Sequence, residues 1–277
     1  MEPLSPVYTA DLFAPLSVEL VALLRGLAEG DWTRPTVAGA WRVRDVAAHL
    51  LDVDLRKLAF GRDGHRASGP ASPAYDDVVA FINRKNAEGV GYAERLSPRL
   101  LADLLETTGE WVSRFVLSLP SDADAAFPVA WAGEDRSTNW MDIGREYTER
   151  WHHQAQIRDA VGAPRLLQPR WFEPFLDLSV RAFPKAYANL AAPAGTSVAF
   201  EVEGETRGAW SVMRSDSGWV VWRGRATDAA ASARTDADTA WRLLYNALSP
   251  EAVKARVATA GAPALTAPIL AARAVMV

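Results

Sequence analysis

Residues 41–49, Trp41-Arg-Val-Arg-Asp-Val-Ala-Ala-His49, place a histidine within an amphipathic segment. Its apolar side chains recur at helical spacing, which predicts a helix from about Arg42 to Phe60. Further along the chain, Glu149-Arg-Trp-His-His153 sets a carboxylate and an imidazole at positions i and i+4, on one face of another helix. A histidine on an early helix and an acid–histidine pair on a later one are typical of a metal site inside a helical bundle.

The rest of the first 164 residues also has the period of α-helices. The predicted helices cover residues 11–29, 42–60, a shorter segment around Val78, 98–120 and 139–161. Gly30 and Gly162 stand where a helix would stop. Ser97-Pro98 has the form of an N-cap followed by proline at the first helical position. This part of the chain is therefore predicted to be a bundle of four or five helices.

Residues 165–277 are predicted to form a separate, small α+β domain. The predicted elements are a helix over 169–190 that prolines interrupt, strands over 198–202, 209–213, 219–222 and 231–235, and helices over 237–248 and 250–257. In the first of these strands the large apolar residues Val198, Phe200 and Val202 alternate with small or polar ones, which indicates a strand. The predicted fold class is thus mixed, with an all-helical part followed by an α+β part.

Composition excludes several classes of function. The chain of 277 residues has no cysteine, which excludes disulfides, zinc–thiolate sites and a cysteine nucleophile. With 30 basic and 34 acidic residues, the net charge is −4 without long runs of either sign, which argues against nucleic acid or an anionic membrane as a partner. The chain has neither the pattern of a signal peptide nor an apolar run that could span a membrane, so we expect a cytoplasmic protein. Motifs of serine hydrolases and of nucleotide-binding loops are also absent.

The candidate metal ligands are His49, Glu149 and His153. Imidazole nitrogens and a carboxylate suit zinc, nickel, cobalt or iron, and three protein ligands leave a position open for water or substrate, as catalytic sites do. At about 100° per residue, His152 points away from the face that carries Glu149, so we expect it at the surface or in a supporting contact. The alternative interpretation is that both histidines are ordinary partly buried side chains and that Glu149 pairs with a neighbouring arginine in solvent.

Several segments resemble a known family. Residues 41–50 resemble the first signature of the DinB-like metalloenzyme family, in its mycothiol-dependent maleylpyruvate isomerase branch, and residues 149–158 resemble the second signature. Residues 238–248 and 261–265 resemble the tail domain of that branch, which is related in fold to sterol carrier proteins. The chain departs from the pattern at Gln156, where members of the family often have aspartate.

This resemblance implies both a fold and a set of ligands. The fold is a DinB-like four-helix bundle over residues 1–164, followed by a small sterol-carrier-protein-like α+β domain over residues 165–277. The ligand set is one divalent metal ion held by His49, Glu149 and His153, with zinc as the expected ion and nickel, cobalt or iron as alternatives.

The resemblance also implies a reaction. The cofactor is mycothiol, a small-molecule thiol that the metal activates, and the substrate is a small electrophile similar to maleylpyruvate, which is isomerised or accepts the thiol in an S-transfer. A divalent ion stabilises a thiolate at neutral pH, and a chain without cysteine has to receive its thiol from outside. The protein is expected to act as a monomer or a homodimer. The alternatives are a metal-dependent hydrolase, or a non-enzymatic protein that binds a metal and an apolar ligand.

Other polar residues of the two helices are candidates for supporting roles. Hydrogen bonds with residues that do not themselves bind the metal orient metal-bound imidazoles. The candidates for this role are Asp45, Asp52, Glu146 and Gln156. Arginines near the opening of the site, Arg42 and Arg145, are candidates for pairing with a substrate carboxylate, although solvated surface positions are the commoner case for both.

Overall fold

The structure is a computed structural model that describes residues 1–276, and its chain divides into two compact units. The helical unit contains residues 8–126 and 138–165, and the sheet unit contains residues 1–7, 127–137 and the chain from residue 166 onward. Two short segments that lie within residues 1–164 thus group with the sheet unit. The division into functional domains at residue 164 stays a prediction.

Long helices make up the helical unit. They are α1 (Phe13–Arg25), α2 (Val43–Arg56), α3 (Tyr75–Ala93), α4 (Pro98–Ser118) and α5 (Asn139–Val161). The start of α4 is fixed by Ser97, whose Oγ accepts a hydrogen bond from the Leu100 backbone N–H at 3.2 Å. The end of α5 is fixed by Gly162, which has a φ of 70° in the left-handed region. The bounds of α5 are those that the sequence predicts.

The core of the helical unit lies among α1, α2, α4 and α5. Each of α1 and α2 packs against both α4 and α5. The core side chains include Leu20, Leu24, Val43, Val46, Leu50, Leu101, Leu105 and Ile157. Burial of a side chain of this size stabilises the fold by about 1.5–3 kcal/mol. This packing places the middle of α2 beside α5. The more specific assignment to a DinB-like four-helix bundle stays a prediction.

Helix α3 is longer than the sequence predicts and lies at the outside of this core. It packs mainly on α2, and most of its side chains are exposed or half-buried. The close approach to α2 depends on Gly89, because a Cβ at that position would lie 2.4 Å from Cγ of Asp52. A helix that buries so little has a weak apolar period, which explains why the sequence indicates it only around Val78.

The sheet unit contains six strands among the described residues. They are β1 (Glu2–Pro3), β2 (Ser197–Glu203), β3 (Gly208–Ser215), β4 (Gly218–Arg223), β5 (Ala231–Asp236) and β6 (Ala258–Gly261). Their order in the sheet is β1-β4-β3-β2-β5-β6, and every neighbouring pair is antiparallel except β2 and β5. The strands β2, β3 and β4 lie where the sequence predicts strands, over 198–202, 209–213 and 219–222, and they pair in sequence order as an antiparallel meander. The mixed helical and sheet character of the chain is confirmed.

Helices cover this sheet and complete the core of the unit. They are α6 (Pro169–Ser179), α7 (Phe183–Tyr187), α8 (Ala237–Leu244), α9 (Pro250–Arg256) and α10 (Pro263–Ala271). The predicted interruption of the 169–190 helix is the short 3-10 turn Val180–Ala182 between α6 and α7. Large aromatic side chains fill the core, among them Phe172, Phe175, Phe183, Phe200, Trp210 and Trp241. The relationship of this unit to sterol carrier proteins stays a prediction. Within residues 1–276, no helix has both the length and the apolar character of a membrane span.

Candidate metal centre

The structure brings His49, Glu149 and His153 together inside the helical unit. His49 is in the middle of α2, and the other two lie one turn apart on α5. Nε2 of His49 and Nε2 of His153 each lie 3.1 Å from Oε1 of Glu149. One ligand atom from each of the three residues lies within 4.8 Å of the others. The sequence prediction that an early and a late helix meet at these side chains therefore agrees with the geometry.

Burial differs among the three side chains. His49 and His153 are 2% and 6% exposed, whereas the Glu149 side chain keeps 22% of its surface accessible. The carboxylate is thus the most accessible of the three groups.

The protonation states of the site suit a divalent cation. Burial, together with the neighbouring His153, lowers the pKa of His49 to about 4, so its imidazole is neutral at pH 7. Burial by itself would raise the pKa of Glu149, but the neighbouring His153 ring and the close contacts of the carboxylate with both imidazoles outweigh it and hold that pKa well below its usual range. A neutral imidazole and an ionised carboxylate are the forms that bind metal ions.

The distances also suit such an ion. Two donors at about 2.0–2.1 Å from a tetrahedral ion are about 3.3–3.4 Å apart. The two nitrogen–oxygen distances of 3.1 Å in the site are close to this value. The residues that would hold the ion are His49 and His153 through Nε2 and Glu149 through its carboxylate, which leaves a coordination position for an outside ligand.

The two imidazoles are supported differently. Nδ1 of His153 donates a hydrogen bond of 2.8 Å to Oε1 of Gln156, which leaves the lone pair on Nε2 for the site. Nδ1 of His49 is buried and has no hydrogen-bond partner among residues 1–276. Instead, the ring of Trp41 lies against His49 with 4.9 Å between the ring centroids.

Of the predicted supporting residues, only Gln156 contacts an imidazole through a hydrogen bond that the structure describes. Asp45 instead accepts a hydrogen bond from the Arg42 backbone N–H at 2.9 Å and so caps the start of α2. Asp52 pairs with Arg56 on the next turn of α2, at 2.8 Å. Their side chains therefore fix the helix that carries His49 rather than the imidazole itself.

His152 was expected at the surface or in a supporting contact, and the structure shows that it is not at the surface. It is buried, its Nδ1 donates to the Thr148 carbonyl oxygen at 2.9 Å, and burial lowers its pKa to about 3. Its nearest approach to Glu149 is 4.0 Å, so it stays outside the three-residue cluster. The helical wheel gives its direction correctly, but α5 is enclosed on most of its sides and the direction away from Glu149 does not lead to solvent.

A chain of buried ion pairs, which the sequence analysis missed, runs beside the metal centre. Its members are Lys57, Asp142, Arg145, Glu146, Arg150 and Asp54, in order of contact. Each neighbouring pair in this ion-pair chain is 2.6–2.7 Å apart, and Thr108 donates to Asp54 at 2.9 Å. The i, i+3 and i, i+4 spacing of acids and arginines on α5 is the signal that could have revealed part of it.

The ion-pair chain assigns roles to two residues whose function the sequence left open. Arg145, a candidate for binding a substrate carboxylate, is held by Asp142 and Glu146 at 2.6 and 2.7 Å. Glu146 is buried, which alone would raise its pKa, but Arg145, Lys57 and Arg150 hold that pKa far below its usual range. Lys57 lies in the π-helical turn Lys57–Arg62 that continues α2 and joins the ion-pair chain from there. The ion-pair chain thus connects the end of α2 to α5.

Comparison with known proteins identifies a family and a similar fold. Residues 13–158 match the family described as the mycothiol maleylpyruvate isomerase N-terminal domain. The fold is similar to the crystal structure of the mycothiol-dependent maleylpyruvate isomerase, with a TM-score of 0.56, 12% identity and coverage of 94% of this chain and 96% of that chain. A histidine-to-alanine mutant of the mycothiol-dependent maleylpyruvate isomerase matches with a TM-score of 0.55, 11% identity and the same coverage. No curated protein matches the sequence. The resemblance found in the two sequence signatures is confirmed, and the chain belongs to the mycothiol maleylpyruvate isomerase N-terminal domain family.

Proposed function

We propose that this protein is a mycothiol-dependent isomerase that holds a divalent metal ion, zinc as the expected one, at His49, Glu149 and His153. The observation that supports the proposal is the convergence of two imidazoles and one carboxylate, with one ligand atom of each within 4.8 Å of the others. The substrate is a small electrophile with an activated double bond, of the same kind as maleylpyruvate. Transfer of the thiol to such an electrophile is the second reaction that the same site would support.

The chemistry that a bound ion supplies is stabilisation of a thiolate at neutral pH, where a free thiol with a pKa of about 8.5 is mostly protonated. The chain has no cysteine, so the thiol has to come from a small molecule. Such a molecule would approach the site at Glu149, whose side chain keeps 22% of its surface accessible.

The protein's own residues prepare this site before any ligand arrives. The hydrogen bond to Gln156 fixes the orientation and tautomer of His153. The ion-pair chain fixes α5 relative to the end of α2, and both ligand-bearing helices therefore keep their positions. Preorganised ligands lose little free energy when they close around an ion.

The ion-pair chain argues against the hydrolase alternative. Hydrolysis by a metal-activated water needs a nearby carboxylate that can accept a proton. Asp142 and Glu146, the carboxylates on the turns of α5 before Glu149, are both held by cations, and the pKa of each is lowered. Neither is a good base at neutral pH. Among the residues of the sheet unit that the structure describes, no observation favours an apolar ligand over this enzymatic role.

The proposal is tested by metal analysis and by a thiol-dependent assay. We expect one divalent ion per chain in the purified wild-type protein and its loss in His49→Ala and His153→Ala. His65→Ala is the matched control, because His65 is exposed and is not a member of the cluster. The wild-type protein with mycothiol should isomerise maleylpyruvate or a similar electrophile. Full metal content in both ligand variants, or turnover that does not depend on thiol, would contradict the proposal.

A further inference from the structure

We infer that Trp41 is a positioning residue for His49. Its indole ring fixes the orientation of this imidazole, as the hydrogen bond to Gln156 fixes that of His153. The inference rests on the proposed function, since it assigns a role toward the proposed metal ion. Trp41 does not contact the reacting atoms in this assignment. It acts through the ligand.

The first observation is the unequal support of the two imidazoles. Metal-bound histidines almost always donate their second N–H to an acceptor, which fixes the ring. His153 does so toward Gln156 at 2.8 Å. Nδ1 of His49 is buried without an acceptor among the described residues, so no hydrogen bond at this nitrogen sets the rotation of its ring.

The second observation is the position of the indole ring. The Trp41 ring centroid is 4.9 Å from the His49 centroid, with 42° between the planes, and 6.1 Å from the His153 centroid. The two imidazole centroids are themselves 4.5 Å apart, nearly edge to face. Aromatic rings at such separations attract one another in tilted arrangements. One indole therefore packs against both nitrogen ligands, and its closer contact is with the one that lacks a hydrogen bond.

The third observation is that the backbone of Trp41 is itself fixed. Its carbonyl oxygen accepts hydrogen bonds from the backbone N–H of Thr36 at 3.1 Å and from Oγ1 of Thr36 at 2.7 Å. Its own N–H donates to the Ala38 carbonyl at 3.2 Å. The next residue begins the capped start of α2, and the indole also packs against the core of the helical unit. A side chain anchored in this way can restrict the ring that it touches.

The test measures metal affinity in variants of the full chain. Zn²⁺ and Co²⁺ are titrated into the metal-free wild type, Trp41→Ala, Trp41→Phe and Trp111→Ala, and folding is checked by circular dichroism. Trp111 is the matched control because it is 44% exposed on α4. We expect Trp41→Ala to weaken binding about tenfold or more, as the loss of other supports of metal ligands does. Trp41→Phe keeps a ring against the imidazole and should retain most of the affinity, and Trp111→Ala should bind as the wild type does.

A second measurement covers the case in which Trp41→Ala fails to fold. Co²⁺ quenches nearby indole fluorescence, so the wild type should lose a larger fraction of its emission on Co²⁺ binding than Trp41→Phe does. Equal quenching in the two proteins, or wild-type affinity with an unchanged Co²⁺ absorption spectrum in Trp41→Ala, would overturn the inference alone. Absence of metal binding by the wild type, or its survival in His49→Ala and His153→Ala, would overturn the proposed function and the inference with it.

Discussion

Replacement of Arg150 by methionine tests whether the ion-pair chain stabilises the helical unit. The Arg150 side chain is 12% exposed and lies 2.6 Å from both Asp54 and Glu146, whose side chains are 7% and 6% exposed. Methionine keeps much of the volume but removes the charge, so two buried carboxylates each lose a cation. Removal of one partner from a buried ion pair typically costs about 3–5 kcal/mol, because the remaining charge is uncompensated.

We therefore expect Arg150→Met to lower the free energy of unfolding by about 3–5 kcal/mol at pH 7, and the melting temperature by about 10 °C. Burial already raises the pKa of Asp54, and loss of Arg150 raises it further. Because the carboxyl pKa is raised in the folded state, the loss of stability in Arg150→Met is largest at neutral pH. This loss becomes smaller as the pH falls and Asp54 binds a proton. Urea unfolding at pH 7 and at about pH 5, followed by tryptophan fluorescence, measures both effects.

Arg114→Met is the matched control for this experiment. Arg114 pairs with Glu110 on the same helix, with both side chains more than half exposed, and such pairs contribute about 0–1 kcal/mol. Should Arg150→Met cost no more stability than Arg114→Met, or should its cost fail to shrink at lower pH, the ion-pair chain does not stabilise the helical unit.

Further expectations concern single positions in the helical unit. The pKa of buried His152 is about 3 in the folded state and 6.5 in the unfolded state. The unfolded state therefore binds the proton first, and the free energy of unfolding falls as the pH drops below about 6.5. His152→Asn should reduce this dependence on pH in urea unfolding of the metal-free protein. Gln156→Leu should weaken zinc binding about 10–100-fold in a competition assay, and Gln156→Asp should restore it, since a carboxylate also accepts from the imidazole. In Gly109→Ala, the new Cβ would lie 2.2 Å from Oγ of Ser17, and we expect thermal unfolding to show a loss of about 1–3 kcal/mol. Gly91→Ala, with no heavy atom within 4 Å of the new Cβ, should instead gain up to about 1 kcal/mol, and equal effects would contradict this difference in packing.

The elements that the sequence predicts best are those whose signals are local. The bounds of α5 follow from its own apolar period and from Gly162, and both agree with the structure. The positions of the strands β2, β3 and β4 also agree with the ranges that the sequence predicts. The convergence of His49 on Glu149 also follows, because each lies on the inner side of a helix that faces the core.

The features that the sequence did not reveal depend on tertiary packing. Trp111 is an apolar residue within α4, yet it is 44% exposed because α4 carries apolar residues on more than its buried face. His152 is buried because α5 has buried residues on most of its sides. A helical wheel of α5 alone cannot show this. Strands β1 and β6 have two and four residues at the edges of the sheet, too few for a period to be read. The ion-pair chain needs α2 and α5 side by side before its members can be recognised.

The separation of the ligands along the chain has a consequence for how a metal ion would be acquired. His49 and Glu149 are 100 residues apart, so their contact is among the non-local ones that form slowly during folding. When the first histidine leaves the ribosome, its two partners have not yet been synthesised. An ion would therefore be inserted after α2 and α5 have docked, unlike in zinc fingers, where neighbouring ligands bind the ion as the chain folds. The order of events would be folding first and metallation second, and the folded, metal-free protein would be the species that competes for the ion in the cell.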